Sequence, residues 1–168
     1  GPLLESEKKR FAGTEVYGKT LGIVGLGAIG SLVANMALDL GMRVVGYDPA
    51  ISVEAAWRLS SRVEKMSSLD ALLKESDYIT LHVPAIDVTK GMINSESMSR
   101  MKPGVKLLNF SRKEIVNASD LIAALDIGKI GSYVTDFPTP ELIGHPKVLA
   151  MPHIGASTGE AEDNCAVM

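Results

Sequence analysis

The sequence predicts an α/β fold, a doubly wound, mostly parallel sheet with helices on both faces. Three observations predict it. Short apolar runs alternate with helical stretches along the chain, with no repeat of fixed period. The first apolar run ends in a glycine turn that opens a helix, and polar residues able to do chemistry gather just past several of the later runs. A chain of 168 residues, 46% apolar, is also the size of one domain with a single core.

Residues Leu3 to Phe11 are polar and lysine-rich, and Gly13 to Lys19 adds turn formers, so residues 1–18 read as a helix end or tether. Leu21 to Val24 is the first buried strand, and Ala28 to Leu40 is the helix after it. Ile29, Val33, Met36 and Leu40 fall on one apolar stripe of that helix, with Gly41 as its cap. Met42 to Tyr47 is a second strand, closed by Asp48. Pro49-Ala50 breaks it, and Ser52 to Leu59 is a short helix on which Trp57 is expected to anchor packing. A brief extended piece at Arg62 to Glu64 and a helix from Ser68 to Lys74 lead to a strand at Tyr78 to Val83, stopped by Pro84. Ser95 to Met101 is helical, Pro103-Gly104 a turn, and Val105 to Phe110 the next strand. Ala118 to Ile127 is a helix, and Ile130 to Val134 and Val148 to Met151 are the last strands. From Ser157 the chain turns helical again.

The glycine turn reads Gly25-x-Gly27-x-x-Gly30, between strand and helix, which is the context a dinucleotide site requires. Gly25 allows the tight turn, Gly27 lets backbone approach a diphosphate, and Gly30 lets helix and strand pack closely. The anion then rests on free N–H groups of the helix N-terminus. Asp48, about 20 residues on, ends the second strand where a carboxylate accepts hydrogen bonds from a ribose. It also repels a 2′-phosphate, and Pro49 and Ala50 supply no cation, so NAD is favoured over NADP.

Composition narrows the function classes. The 17 basic and 20 acidic residues are mixed along the chain, which offers no cationic stripe for nucleic acid. No apolar run reaches membrane-span length, and the one cysteine, Cys165, cannot form an internal disulfide, so a reducing, cytoplasmic setting is expected. The three histidines show no ligand spacing, and no metal is expected. In an open parallel sheet the ligand crevice lies beyond the carboxyl ends of the strands, which directs attention to His82-Val83-Pro84, Ser111-Arg112, Thr135-Asp136 and His153. A guanidinium such as Arg112 can hold a substrate carboxylate, and an imidazole such as His153 can exchange a hydroxyl proton during hydride transfer. His145, between Gly144 and Pro146, reads as loop.

Several motifs occur together and in order: Gly25-Leu26-Gly27-Ala28-Ile29-Gly30, His82-Val83-Pro84, Lys90-Gly91-Met92-Ile93-Asn94, Met101-Lys102-Pro103-Gly104, Asn109-Phe110-Ser111-Arg112 and Pro152-His153-Ile154-Gly155. From Lys19 onward the chain resembles the D-isomer-specific 2-hydroxyacid dehydrogenases. The resemblance implies a Rossmann-type NAD-binding domain over residues 19–156, with 157–168 beginning a return helix toward a substrate domain outside this sequence. It implies oxidation of a small D-2-hydroxy acid, 3-phosphoglycerate foremost and a glycerate-type acid otherwise. A non-catalytic NAD-sensing interaction module is the reading from another class. The resemblance also implies a homodimer through this domain, and an isolated chain with very weak turnover or none.

Carried over by position, Ala28 and Ile29 offer backbone to the diphosphate, Asp48 holds the ribose, and His82, Val83 and Pro84 border the adenine. Phe110, Ser111, Arg112 and Asp136 lie near the nicotinamide, with His153 and Gly155 closing the cofactor site; Arg112 and His153 are catalytic. The family also uses a glutamate to orient the histidine, usually just before a proline. The order here is Pro140-Glu141, so Glu141 is the acid on offer, although alignment on Phe137-Pro138-Thr139 puts Pro140 in its place. That alignment sets Thr135 opposite the family aspartate, with Asp136 one place off, and Lys113 stands where a glycine usually follows the arginine. The acidic partner of His153 is not fixed by the resemblance.

Overall fold

The computed structural model describes residues 2–166, except for the side chains of residues 2–4, 9 and 164–166, Cys165 among them. Helix α1 (Pro2–Glu7) and a 3-10 turn (Lys8–Phe11) precede the domain proper. The sheet is formed by β1 (Thr20–Val24), β2 (Arg43–Tyr47), β3 (Glu64–Lys65), β4 (Tyr78–Leu81), β5 (Val105–Asn109), β6 (Ile130–Thr135) and β7 (Val148–Ala150). Their order is β3-β2-β1-β4-β5-β6-β7, and every pairing is parallel. The chain winds outward from β1 to β3, then returns past β1 to β4 and winds the other way. The point of reversal lies between β1 and β4, and there the connections leave a crevice beyond the strand ends.

The connecting helices are α2 (Ala28–Asp39), α3 (Val53–Arg58), α4 (Leu69–Glu75), α5 (Ser95–Ser99) and α6 (Ala118–Asp126), with α7 (Gly159–Ala166) at the end. Local sequence starts most of them. Ser52, Ser68, Asn94 and Asn117 each accept a backbone N–H of the first turn, and Asn94 with Ser97 forms a reciprocal capping box. Helix α2 is the exception among these, with Gly27 at its cap position and no side-chain cap. Its first N–H groups are left for something else.

Strand residues alternate between two apolar layers. Val24, Val45, Ile79, Leu81 and Leu107 pack with Leu72, Leu73, Met98, Leu121 and Leu125 of α4, α5 and α6, whereas Leu21, Ile23 and Val44 pack with Ala34 and Ala37 of α2. Over β5 and β6 the second layer is thin, leaving Leu108 and Val134 half-buried.

Two expectations are corrected. The apolar stripe of α2 does not face the sheet: Ile29, Met36 and Leu40 are 61–66% exposed, and the buried face is Gly30, Ser31, Ala34 and Ala37. Small residues at that spacing let the helix axis approach the sheet closely, which long side chains would prevent. Trp57 anchors nothing within the chain, being 85% exposed on α3, which has no buried residue. A 3-10 turn at Lys113–Ile115 was not foreseen from sequence.

Candidate functional site

The crevice at the reversal point is lined by Gly27, Ala28, Ile29 and Gly30 after β1, by His82, Val83, Pro84 and Ala85 after β4, and by Phe110, Ser111 and Arg112 after β5. Its volume is about 540 Å³. Each glycine of the turn has a distinct reason. Gly25 sits at φ +94°, and a Cβ there would meet the His82 carbonyl oxygen at 2.3 Å; one on Gly30 would meet the Gly25 carbonyl oxygen at 2.0 Å. These two are required by the fold. Gly27 differs: its φ is −71°, open to any residue, and a Cβ there would meet nothing within 4 Å. The space it leaves free borders the uncapped N-terminus of α2, which is what a diphosphate needs in order to reach backbone N–H groups.

Asp48 is tied to the same turn. Its Oδ2 accepts the Leu26 N–H at 2.8 Å and its Oδ1 accepts the Ala50 N–H at 2.9 Å. A carboxylate accepts about four hydrogen bonds, so lone pairs are left for two ribose hydroxyls. The turn, the α2 N-terminus and Asp48 thus fit a dinucleotide with a free 2′-hydroxyl. His82 is half-buried, and its Nε2 lies 2.9 Å from the Thr80 hydroxyl; burial holds its imidazole below the usual histidine pKa. Its amide donates to the Val24 carbonyl oxygen at 2.7 Å, binding the two strand ends of the crevice together.

The β5 end is shaped by a polar network that sequence reasoning did not assign. Asn109 is fully buried; its Nδ2 donates to the Arg112 carbonyl oxygen at 2.9 Å and to the Tyr133 hydroxyl at 3.2 Å, and its Oδ1 accepts the Ser111 N–H at 3.1 Å. Thr135, also fully buried, donates to the Asn109 carbonyl oxygen at 2.9 Å and accepts the Phe137 N–H at 3.0 Å. Two side chains therefore fix the loops after β5 and β6. Only a neutral, short polar residue directly after an apolar run hints at this in the sequence.

Arg112 extends from that loop with Nη1 2.7 Å from the Ser111 carbonyl oxygen and its guanidinium 5.7 Å from the Phe137 ring centroid. His153, on the segment after β7, packs against the same ring with 4.3 Å between centroids and a tilt of 36°, and its Nδ1 lies 2.8 Å from Asp136 Oδ2. Phe137 thus brings together the cation and the imidazole that sequence placed on separate strand ends. A cleft of about 400 Å³ beside them is lined by Arg112, Lys113, Glu114, Asp136, Phe137 and Pro138. Glu141 is not brought to His153. It is exposed, with its carboxyl held below the usual range mainly by the Thr139 hydroxyl. Gly155 is exposed beyond His153, and His145 is a loop residue whose ring contacts Asp126 at 3.0 Å. Among the described residues no group of three or more His, Cys, Asp or Glu side chains could hold a metal, and no helix is long and apolar enough to cross a membrane.

Residues 4–155 match the family described as "D-isomer specific 2-hydroxyacid dehydrogenase, NAD binding domain". The chain is 42% identical over 167 residues to a D-3-phosphoglycerate dehydrogenase of Synechocystis, and 39% identical over 168 residues to that of Bacillus subtilis; 96% of this chain is covered in both. It spans about 30% of the length of these relatives. Among solved structures, the apo form of Rhodotorula graminis D-mandelate dehydrogenase superposes with a TM-score of 0.85 at 32% identity, covering 99% of this chain and 50% of that one. The NAD complex of a D-isomer-specific 2-hydroxyacid dehydrogenase from Lactobacillus delbrueckii gives 0.78 at 28% identity, covering 91% and 51%.

Proposed function

We propose, because this chain belongs to the D-isomer-specific 2-hydroxyacid dehydrogenase family as its NAD-binding domain, that in a complete polypeptide it oxidises 3-phosphoglycerate to 3-phosphohydroxypyruvate. Its similarity to phosphoglycerate dehydrogenases over nearly its whole length supports that substrate, the first step toward serine. The observation that carries the catalytic reading is the convergence of Arg112 and His153 on Phe137, beside the dinucleotide crevice.

Bound NAD⁺ supplies the acceptor for the hydride that leaves C2 of the substrate. The chain's own residues do the rest. Gly27, Ala28 and Ile29 hold the diphosphate by backbone, and Asp48 the ribose. His82, Val83 and Pro84 border the adenine, while Phe110, Ser111, Arg112 and Asp136 lie toward the nicotinamide. Arg112 leaves its carbonyl contact to grip the substrate carboxylate and polarise the C2 oxygen, and His153 Nε2 accepts the C2 hydroxyl proton. The products are the 2-oxo acid, the reduced cofactor and one proton.

Residues 19–156 form the cofactor domain in this reading, and 157–168 begin the return to the rest of the polypeptide, which supplies most of the substrate contacts. The 168-residue chain alone accordingly binds NAD and turns over substrate very weakly or not at all, because nothing closes on the reactants to exclude water. The balanced charge and single cysteine support a cytoplasmic enzyme, and the exposed apolar side chains of α2 support a homodimer through this domain.

The test is NAD reduction by the full-length protein. With 3-phosphoglycerate, His153→Ala is expected to lower kcat at least about 100-fold. Activity with glycerate alone would reassign the substrate, activity untouched by the substitution would remove His153 from the chemistry, and NAD binding without turnover of any 2-hydroxy acid would favour a sensing module.

A further inference from the structure

The carboxylate that faces His153 comes from an unexpected place. Asp136 follows β6 directly, and β6 pairs on both sides, with Thr135 opposite Asn109 of β5 and Ala150 of β7. The Thr135 hydroxyl ties the turn at Asp136 to the neighbouring strand, donating to the Asn109 carbonyl oxygen of β5 and accepting the Phe137 N–H. Asp136 is therefore set by the sheet, whereas Glu141 sits on the loop beyond, exposed and without a contact to His153. Burial shows the same asymmetry: the Asp136 side chain is 15% exposed and that of His153 59%. The carboxylate is the fixed member and the imidazole the one that needs fixing.

We propose that Asp136 is the positioning residue for His153, taking from the end of β6 the role that Glu141 offered from the loop. The proposal rests on the reading in which His153 accepts the substrate hydroxyl proton. An ionised carboxylate only accepts hydrogen bonds, so at 2.8 Å from Oδ2 the His153 Nδ1 must carry a hydrogen. Neutral His153 is thereby held as the Nδ1–H tautomer, with the Nε2 lone pair free to take a proton. The Phe137 ring, tilted by 36°, lies against the imidazole, and the Asp136 contact orients its Nδ1 edge. The bond to His153 is the one the carboxylate makes among the described residues, Oδ1 being buried without a partner. When the imidazole becomes charged, the same carboxylate stabilises it.

Nitrogen NMR of the imidazoles in the 168-residue chain tests this directly, with His153 identified by loss of its signals in His153→Gln. At alkaline pH, His153 is expected as the Nδ1–H tautomer. Asp136→Ala is expected to return it to the mixture of a free imidazole, with the rest of the amide spectrum kept. In the full-length protein Asp136→Ala is expected to lower kcat roughly 10- to 100-fold, the effect of one charge-assisted hydrogen bond. Added to His153→Ala, it should cost nothing further. An Nε2–H tautomer in the wild type, or a tautomer unmoved in Asp136→Ala, would overturn the assignment; should that variant fail to fold, the wild-type tautomer decides alone. NAD titrated into the same samples separates the two readings. A chain with the Nδ1–H tautomer and no affinity for NAD would sink the proposed function and leave the pairing standing.

Discussion

Replacing Gly27 by alanine separates what the glycine turn does for the fold from what it does for the ligand. In the structure a Cβ at position 27 meets nothing within 4 Å, and the backbone there, at φ −71°, suits any residue. The folded state should therefore accept the methyl group without strain. Removing a glycine narrows the unfolded ensemble by about 0.4–1 kcal/mol, which offsets the roughly 0.5 kcal/mol by which alanine is the poorer helix cap, so Tm is expected within about 2 °C of wild type. NAD binding is expected to weaken, because the methyl occupies the space through which the diphosphate reaches the α2 N-terminus. Overpacking of this kind costs about 1–3 kcal/mol, a roughly 5- to 150-fold weaker affinity. Gly30→Ala is the control. Its Cβ would lie 2.0 Å from the Gly25 carbonyl oxygen, backbone against backbone, and a loss of about 3 kcal/mol of stability is expected. Thermal unfolding with and without NAD, together with calorimetric titration, reads both effects. Wild-type NAD affinity in Gly27→Ala would refute the placement of the diphosphate, and a Tm falling as in Gly30→Ala would refute the open space.

Two further outcomes follow from groups beside the crevice. Burial keeps the His82 imidazole below its ordinary pKa, so between that lowered value and about pH 6.5 the unfolded chain binds a proton that the folded chain does not. This contribution to stability is complete above about pH 6.5 and declines as pH falls through that window. His82→Gln should lose less Tm than wild type between about pH 7 and 5, and equal slopes would contradict the assignment. Asn109→Ala strands the Arg112 carbonyl, the Tyr133 hydroxyl and the Ser111 N–H in or near the core; urea unfolding should show a loss of about 2–4 kcal/mol, and under 1 kcal/mol would mean that water replaces the amide.

How much of this was legible in the sequence depends on the range of the interaction. The strands, the glycine turn and Asp48 could be read because their signals are local: apolar runs, a left-handed turn at Gly25 and a carboxylate at a strand end. The face that α2 presents to the sheet was misread because periodicity weighs side-chain size, whereas Gly30, Ala34 and Ala37 win the sheet by being small. Trp57 was misread because a large aromatic suggests burial, and nothing in a six-residue helix says whether a partner faces it. The Asn109–Thr135 network and the Asp136–His153 pair join residues 26 and 17 positions apart, whose proximity is set by adjacent strand ends. The motifs named Arg112 and His153 but carried no information on which acid faces the histidine, since the order Pro140-Glu141 and the shift at Asp136 pull the alignment two ways.

The claim at the centre is that the turn at Gly25 to Gly30 and Asp48 form one NAD site at the reversal point of the sheet. Calorimetric titration of the 168-residue chain with NAD⁺ and with NADP⁺ tests it most directly, with Asp48→Asn alongside. Saturable one-to-one binding of NAD⁺ is predicted, with NADP⁺ at least about tenfold weaker, or about 1.4 kcal/mol, and with the gap narrowed in the variant. A folded chain that takes up no NAD⁺, or takes up both dinucleotides equally well, would contradict it.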